Sequence, residues 1–138
     1  MVKTDYIRFS TRGDGDTVDI SGRAEDVIVK SGLKNGILCL FVPGATGGLT
    51  TIEYESGLLE DFHSMWDRLI PEEENYKHNL RWHDGNGHSH IRASLLGPSI
   101  CIPFNDRKLT LGTWQQVIFV DFDNRPRERK IIAQVIGE

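Results

Sequence analysis

The amino-acid sequence predicts an α+β fold, and three observations carry that expectation. Strand-like segments stand at both ends of the chain, at 6–11 and 17–20 and again at 99–104, 109–111, 114–122 and 131–136. Helical stripes fall between them, around 24–31 and 58–69. Strands and helices do not alternate regularly, which argues against a doubly wound parallel sheet. With 138 residues, 1–138 read as one domain and are too few for two ordinary ones.

The elements follow in order. Residues 6–11 and 17–20 flank the turn GDGD and read as short strands. Ser21 is placed to cap a helix, with Glu25 and Asp26 in its early turns, and Ala24, Val27, Ile28 and Ser31 share one face. Lys30 and Gly32 suit its end. The apolar run 37–42 reads as a strand covered on both faces, and 50–54 as a further strand reached through the turn PGATGG. Leu58, Leu59, Phe62, Met65, Trp66 and Leu69 then make the clearest helical stripe, with Ser56 as the expected N-cap and Pro71 beyond the end. Beyond position 98 the turns NDRK and DNRPRERK separate the remaining strands.

Composition narrows the function classes. Hydrophobic residues make up 38% of the chain, enough for a core, and the net charge of −4 leaves no broad basic field for nonspecific nucleic-acid binding. The one basic stretch, Arg125, Arg127, Arg129 and Lys130, reads as a solvated hairpin tip. The longest apolar runs are far too short to span a bilayer, and the polar start MVKTDYIRFS is unlike a signal peptide. Cys39 and Cys101 each sit in an apolar run and read as buried free thiols in a reducing compartment. These features point to a cytoplasmic protein with no membrane partner.

Chemistry concentrates in RWHDGNGHSHIRASLLG, where four of the five histidines fall between positions 78 and 90. His63 stands apart, on the polar side of the 58–69 helix. In an extended HSH segment His88 and His90 would point to one face and could grip one ion. On a helix they diverge by about 200°. The turn-rich DGNGHSH and the helical IRASLLG place them at a loop-to-helix boundary. A third ligand is available from His78, His83, Asp84 or Glu53; the alternative is a set of solvated loop residues.

The stretch FVPGATGGLTTIEYE adds Gly44, Gly47 and Gly48, whose backbone could approach an anion. It is neither a Walker loop nor a Rossmann fingerprint, and spacing alone favours a tight connection between strands. Glu53 and Glu55 share one strand face, with Glu53 the better candidate for a ligand or general base.

Taken together, FVPGATGGLTTIEYE, DGNGHSHIRASLLGPS, LTLGTWQQVIFVDFD and the closing AQVIGE resemble the YjbQ-like family, also called secondary thiamine-phosphate synthase enzymes. The resemblance covers nearly the whole chain. It implies a compact, β-rich layered α+β domain, assembly as a homotrimer, and a divalent metal such as zinc near the HSH histidines. The activity it implies joins hydroxymethylpyrimidine diphosphate to thiazole phosphate and releases pyrophosphate, as a secondary role. Many bacterial members carry His-Thr-Ser-Ala where this chain has Gly44, Ala45, Thr46 and Gly47. The chain looks like the PG(A/S)T branch, in which Thr46, Glu53 or His78 would have to complete the site.

The expected site therefore has His78, His88 and His90 as metal ligands, Glu53, His78 and Arg81 as catalytic groups, and Thr46, Gly47 and Gly48 around a phosphorylated small molecule. Arg81 and Arg92 lie close enough in sequence to clamp phosphate, although Arg92 is expected to serve a surface ion pair. Trp82 and Trp114 are candidates for a subunit interface. The competing expectation is a noncatalytic oligomer that binds a metal or an anion.

Overall fold

The computed structural model describes residues 1–138 and contains two antiparallel sheets and four helices. The larger sheet has the order β1-β8-β3-β5-β6, from β1 (Val2–Thr11), β8 (Arg127–Gly137), β3 (Gly36–Phe41), β5 (Ser99–Asn105) and β6 (Lys108–Leu109). The smaller has the order β2-β7-β4, from β2 (Asp16–Asp19), β7 (Gln116–Asp121) and β4 (Gly47–Ile52). The expected α+β class and layered build are what the chain adopts.

The principal core lies between the sheets. Ile7, Phe9, Leu38, Leu40, Ile102, Phe104, Ile131, Ala133 and Val135 belong to the larger sheet, with Leu49, Val117 and Phe119 from the smaller. Helix α1 (Ser21–Ser31) adds Ala24, Val27 and Ile28. A second core lies on the other side of the small sheet. Here α2 (Ser56–Leu69) brings Trp66, and α4 (Gly87–Leu96) brings Ala93, against Ile118, Val120 and Phe122. Alternate residues of β7 thus face different cores, as a strand covered on both faces requires.

Several boundaries move from the sequence expectation. β1 begins at Val2 and β8 at Arg127, because the two pair along ten residues from Val2↔Ile136 to Thr11↔Arg127. Ladder bonds with β8 thus extend β1 through polar residues that periodicity alone does not mark. β4 ends at Ile52, leaving Glu53 beyond the strand. The α2 cap is the Glu55 side chain, which accepts from the Gly57 and Leu58 N–H groups, and not Ser56. Ser21 is already helical, and its hydroxyl accepts from the Val117 N–H at 2.8 Å. A short helix α3 (Lys77–Trp82) precedes the histidine segment where the sequence suggested none.

The cysteines are a further correction. Cys39 is half-buried and Cys101 exposed, so neither is a core thiol. β3 buries Leu38 and Leu40, and the alternation puts Cys39 on the outer face.

Candidate functional site

The site grows from the point where β7 ends and β8 begins. Asp121 closes β7, with its side chain completely buried. A buried carboxylate demands a cation and donors. Arg129 supplies a two-point grip, with Nε to Oδ2 and Nη2 to Oδ1 both at 2.7 Å. The Thr11 hydroxyl and the Asp123 N–H complete the shell. Arg129 Nη2 also donates to Thr46 Oγ1 at 2.9 Å, and that hydroxyl donates to Asp123 Oδ2 at 3.2 Å. Arg127 Nη1 reaches the same oxygen at 2.6 Å. Burial alone would push the Asp123 carboxyl up. The Asn124 N–H, the Asn86 amide, the Thr46 hydroxyl and the Arg127 charge together hold it below the ordinary carboxylate value.

An open cleft of about 610 Å³ lies above this network, within the range of small-molecule sites. Its floor is Thr46, Asp123, Arg127 and Arg129. One wall is the Pro43–Gly44–Ala45 loop, and Asp84, Asn86 and His90 line the side toward α4. Arg125 overhangs it, exposed and with no ion pair to the protein. A smaller hollow by Lys3, Asp5, Lys30 and Val135 has no histidine, and its Lys30–Asp5 ion pair at 2.8 Å is self-satisfied.

The histidines divide. α4 begins at Gly87, so His88 and His90 are both helical and point apart. The extended HSH arrangement does not form. His90 turns to the cleft and packs on His78 of α3, with ring centroids 4.4 Å apart. His78 Nδ1 lies 3.5 Å from Asp84 Oδ1. Burial lowers the His90 pKa, and the neighbouring His78 lowers it further, so the ring is neutral at neutral pH. His88 is only 2% exposed, and its Nδ1 has no partner. Its pKa is lowered chiefly by burial, with Arg92 adding to the effect.

No group of three or more His, Cys, Asp or Glu side chains is placed to hold a metal ion. Zinc sites take at least three protein ligands when catalytic and four when structural. His78 and His90 offer two, and His88 is turned away. The donor set within one chain therefore does not fit the metal that the sequence led us to expect.

The other expected residues separate in the same way. Thr46 lines the cleft floor, and His78 packs on His90 without lining the cleft itself. Gly47 and Gly48 lie in β4, and close packing explains why they are glycines. A Cβ on Gly47 would fall 2.6 Å from the Phe119 ring, and one on Gly48 would fall 2.8 Å from Leu96 Cδ2. Glu53 is exposed, six residues along from Gly47 and so about 20 Å from the cleft end of β4. Arg81 is exposed over the Trp82 ring. Arg92 is buried, donating to the Ile70 carbonyl at 2.9 Å and to Asp67 at 3.4 Å. It braces α4 against the end of α2.

Asp121, Asp123, Arg127 and Arg129 were missed. The signal was present: Arg129 is in phase with Ile131, Ala133 and Val135, the inward residues of β8. The solvated-tip expectation for this stretch does not hold at Arg129, because the strand phase turns it inward.

Fold and cleft thus define a two-sheet α+β protein with a polar, arginine-lined cleft beside a histidine pair. The family described as "UPF0047 protein YjbQ-like" matches residues 5–138, and the chain belongs to it. A UPF0047 protein of Methanothermobacter thermautotrophicus is 36% identical over 137 residues, 99% of this chain and 94% of that protein. One from Archaeoglobus fulgidus is 35% identical over 119 residues, 86% of this chain and 90% of that protein. Among solved structures, a YbjQ-like protein of unknown function from Sulfolobus solfataricus superposes with a TM-score of 0.94. It is 36% identical, over 100% of this chain and 99% of that one. A hypothetical protein from Aeropyrum pernix gives a TM-score of 0.90 at 32% identity, over 99% of both chains.

Proposed function

We propose that the cleft binds a phosphorylated small molecule and promotes departure of its pyrophosphate. The observation that carries this reading is Arg125, a cation without a protein partner over a floor where Arg127, Arg129 and Thr46 are held in place. Fixed cations and donors that meet developing negative charge without rearranging are an effective form of catalysis. The substrate pair suggested by the family resemblance is hydroxymethylpyrimidine diphosphate and thiazole phosphate. The thiazole nitrogen attacks the pyrimidine methylene carbon, a C–N bond forms, the C–O bond breaks, and pyrophosphate leaves with the electron pair. The bond exchange itself transfers no proton. The neutral His90 ring then serves as a hydrogen-bonding wall, positioned by His78.

The noncatalytic alternative keeps the same anion contacts without turnover. Calorimetry with pyrophosphate, paired with a product assay on the two substrates, distinguishes the readings. We expect binding, and a loss of about tenfold or more in Arg125→Ala, since a hydrogen bond to a charged group contributes about 1.5–3 kcal/mol. Binding without product leaves the noncatalytic reading; no binding of pyrophosphate sinks both.

We also read the protein as a cytoplasmic homotrimer. No helix is long and apolar enough to cross a membrane. Trp114 is 73% exposed and Trp82 62% exposed, an arrangement that favours coverage by another copy.

A further inference from the structure

Cys39 and Cys101 face each other directly across β3 and β5. The hydrogen-bond phase of the ladder decides what that means. The Val42 N–H donates to the Pro98 carbonyl at 2.8 Å, just past the Phe41↔Ser99 pair. Narrow and wide pairs alternate along an antiparallel ladder, so 40↔100 and 38↔102 are hydrogen-bonded pairs and 39↔101 is not. Pro103, which has no N–H, stands opposite Ile37 in the same non-bonded phase. At non-bonded pairs the Cα atoms are about 4.5 Å apart and the side chains closest. That separation is inside the window of about 4.4–6.8 Å that a disulfide spans.

Accessibility differs between the two thiols. Cys101 is exposed on the outer face of the sheet, and Cys39 is half-buried beside it. Burial, and then the neighbouring Cys101 thiol, push the Cys39 thiol up from its ordinary value. An outer thiol free to attack, beside an inner thiol that contacts it, is the arrangement of an attacking and a resolving cysteine.

We propose that Cys39 and Cys101 are a modification site, closing to a reversible cross-strand disulfide in exchange with a low-molecular-weight disulfide. Cys101, as thiolate, attacks one sulfur of the small disulfide and releases one thiol, leaving a mixed disulfide on Cys101. Cys39 gives up its proton and attacks the Cys101 sulfur, releasing the second thiol. Two protein thiols are oxidised and one small disulfide is reduced to two thiols. The bond would staple β3, which runs into the Pro43–Thr46 wall of the cleft, to β5, which follows the helix bearing His90. The closed segment 39–101 contains every histidine of the chain.

The test incubates the full-length protein with excess oxidised glutathione, blocks free thiols, and reads intact mass and peptides under non-reducing conditions. The expected result is loss of two hydrogens, no retained glutathione, a Cys39–Cys101 cross-linked peptide, and a higher melting temperature that reductant reverses. Cys39→Ser should instead accumulate a glutathione adduct at Cys101, and Cys101→Ser should leave Cys39 unreacted while folded. A persistent adduct on the wild type, a Cys101-linked dimer, or two free thiols after treatment would each overturn the proposal.

Discussion

Asp123 and Thr46 share one buried oxygen–oxygen contact. Thr46 passes a hydrogen bond from Arg129 to Asp123, both buried. Thr46→Val keeps the shape and leaves two buried polar groups short of a partner. It should cost about 1–3 kcal/mol in urea unfolding. The histidines set the pH response. His88 and His90 both titrate below their ordinary value of 6.5, so the unfolded chain binds more protons than the folded one just below it. Their stabilising contribution is present above about pH 6.5 and is lost as pH falls toward their folded values. The melting temperature should therefore rise as pH climbs toward about 6.5, and His88→Asn should flatten that rise. By NMR, His78→Ala should move the His90 midpoint upward, because a repelling neighbour is gone; an unchanged midpoint would remove His78 from the account.

Elements differ in how openly the sequence announced them. The α2 stripe was legible because its apolar period matches 3.6, and β7 was legible as a strand from its apolar run. Double covering is expected of residues 37–42, but β3 buries only Leu38 and Leu40 and leaves Ile37 and Phe41 exposed. The strand covered on both faces is β7, because helices pack on the small sheet's outer side and none on the outer face of β3. The α4 start was not. DGNGHSH is rich in turn formers, and what holds Gly87 inside the helix is a contact across the chain. Its N–H donates to the Asn79 side chain at 2.9 Å, and a Cβ there would meet Tyr76 at 2.7 Å. No local pattern reports a contact of that kind. This is why the site was half visible: Thr46 and His90 could be named from the sequence, whereas the separation of His88 from His90 followed from tertiary context. The β4 glycines invite a direct test. Gly47→Ala forces a methyl into the Phe119 ring and should cost about 1–3 kcal/mol, the usual penalty of overpacking a dense core. A neutral result would return Gly47 to consideration as a backbone contact for ligand.

At the scale of the molecule, the GTWQ turn and the cleft occupy opposite ends of β7. Gln115 holds its end of the strand through the Gly112 N–H and the Thr51 hydroxyl, while Trp114 projects outward. Sedimentation of the wild type should report three copies, and Trp114→Ala should shift the population toward monomer; a monomeric wild type would remove the trimer reading.

The Asp121–Arg129 grip has a kinetic consequence. Asp121 is the last residue of the strand that both cores bury, and it anchors Arg129 of the cleft floor, so this anchor is expected to open only with the whole protein. Amide exchange at Val120 and Asp121 should be among the slowest in the chain. An anion bound as proposed would then meet a surface already in place, its capture would be governed by diffusion in the field of Arg125 and Arg127, and added salt should slow that capture.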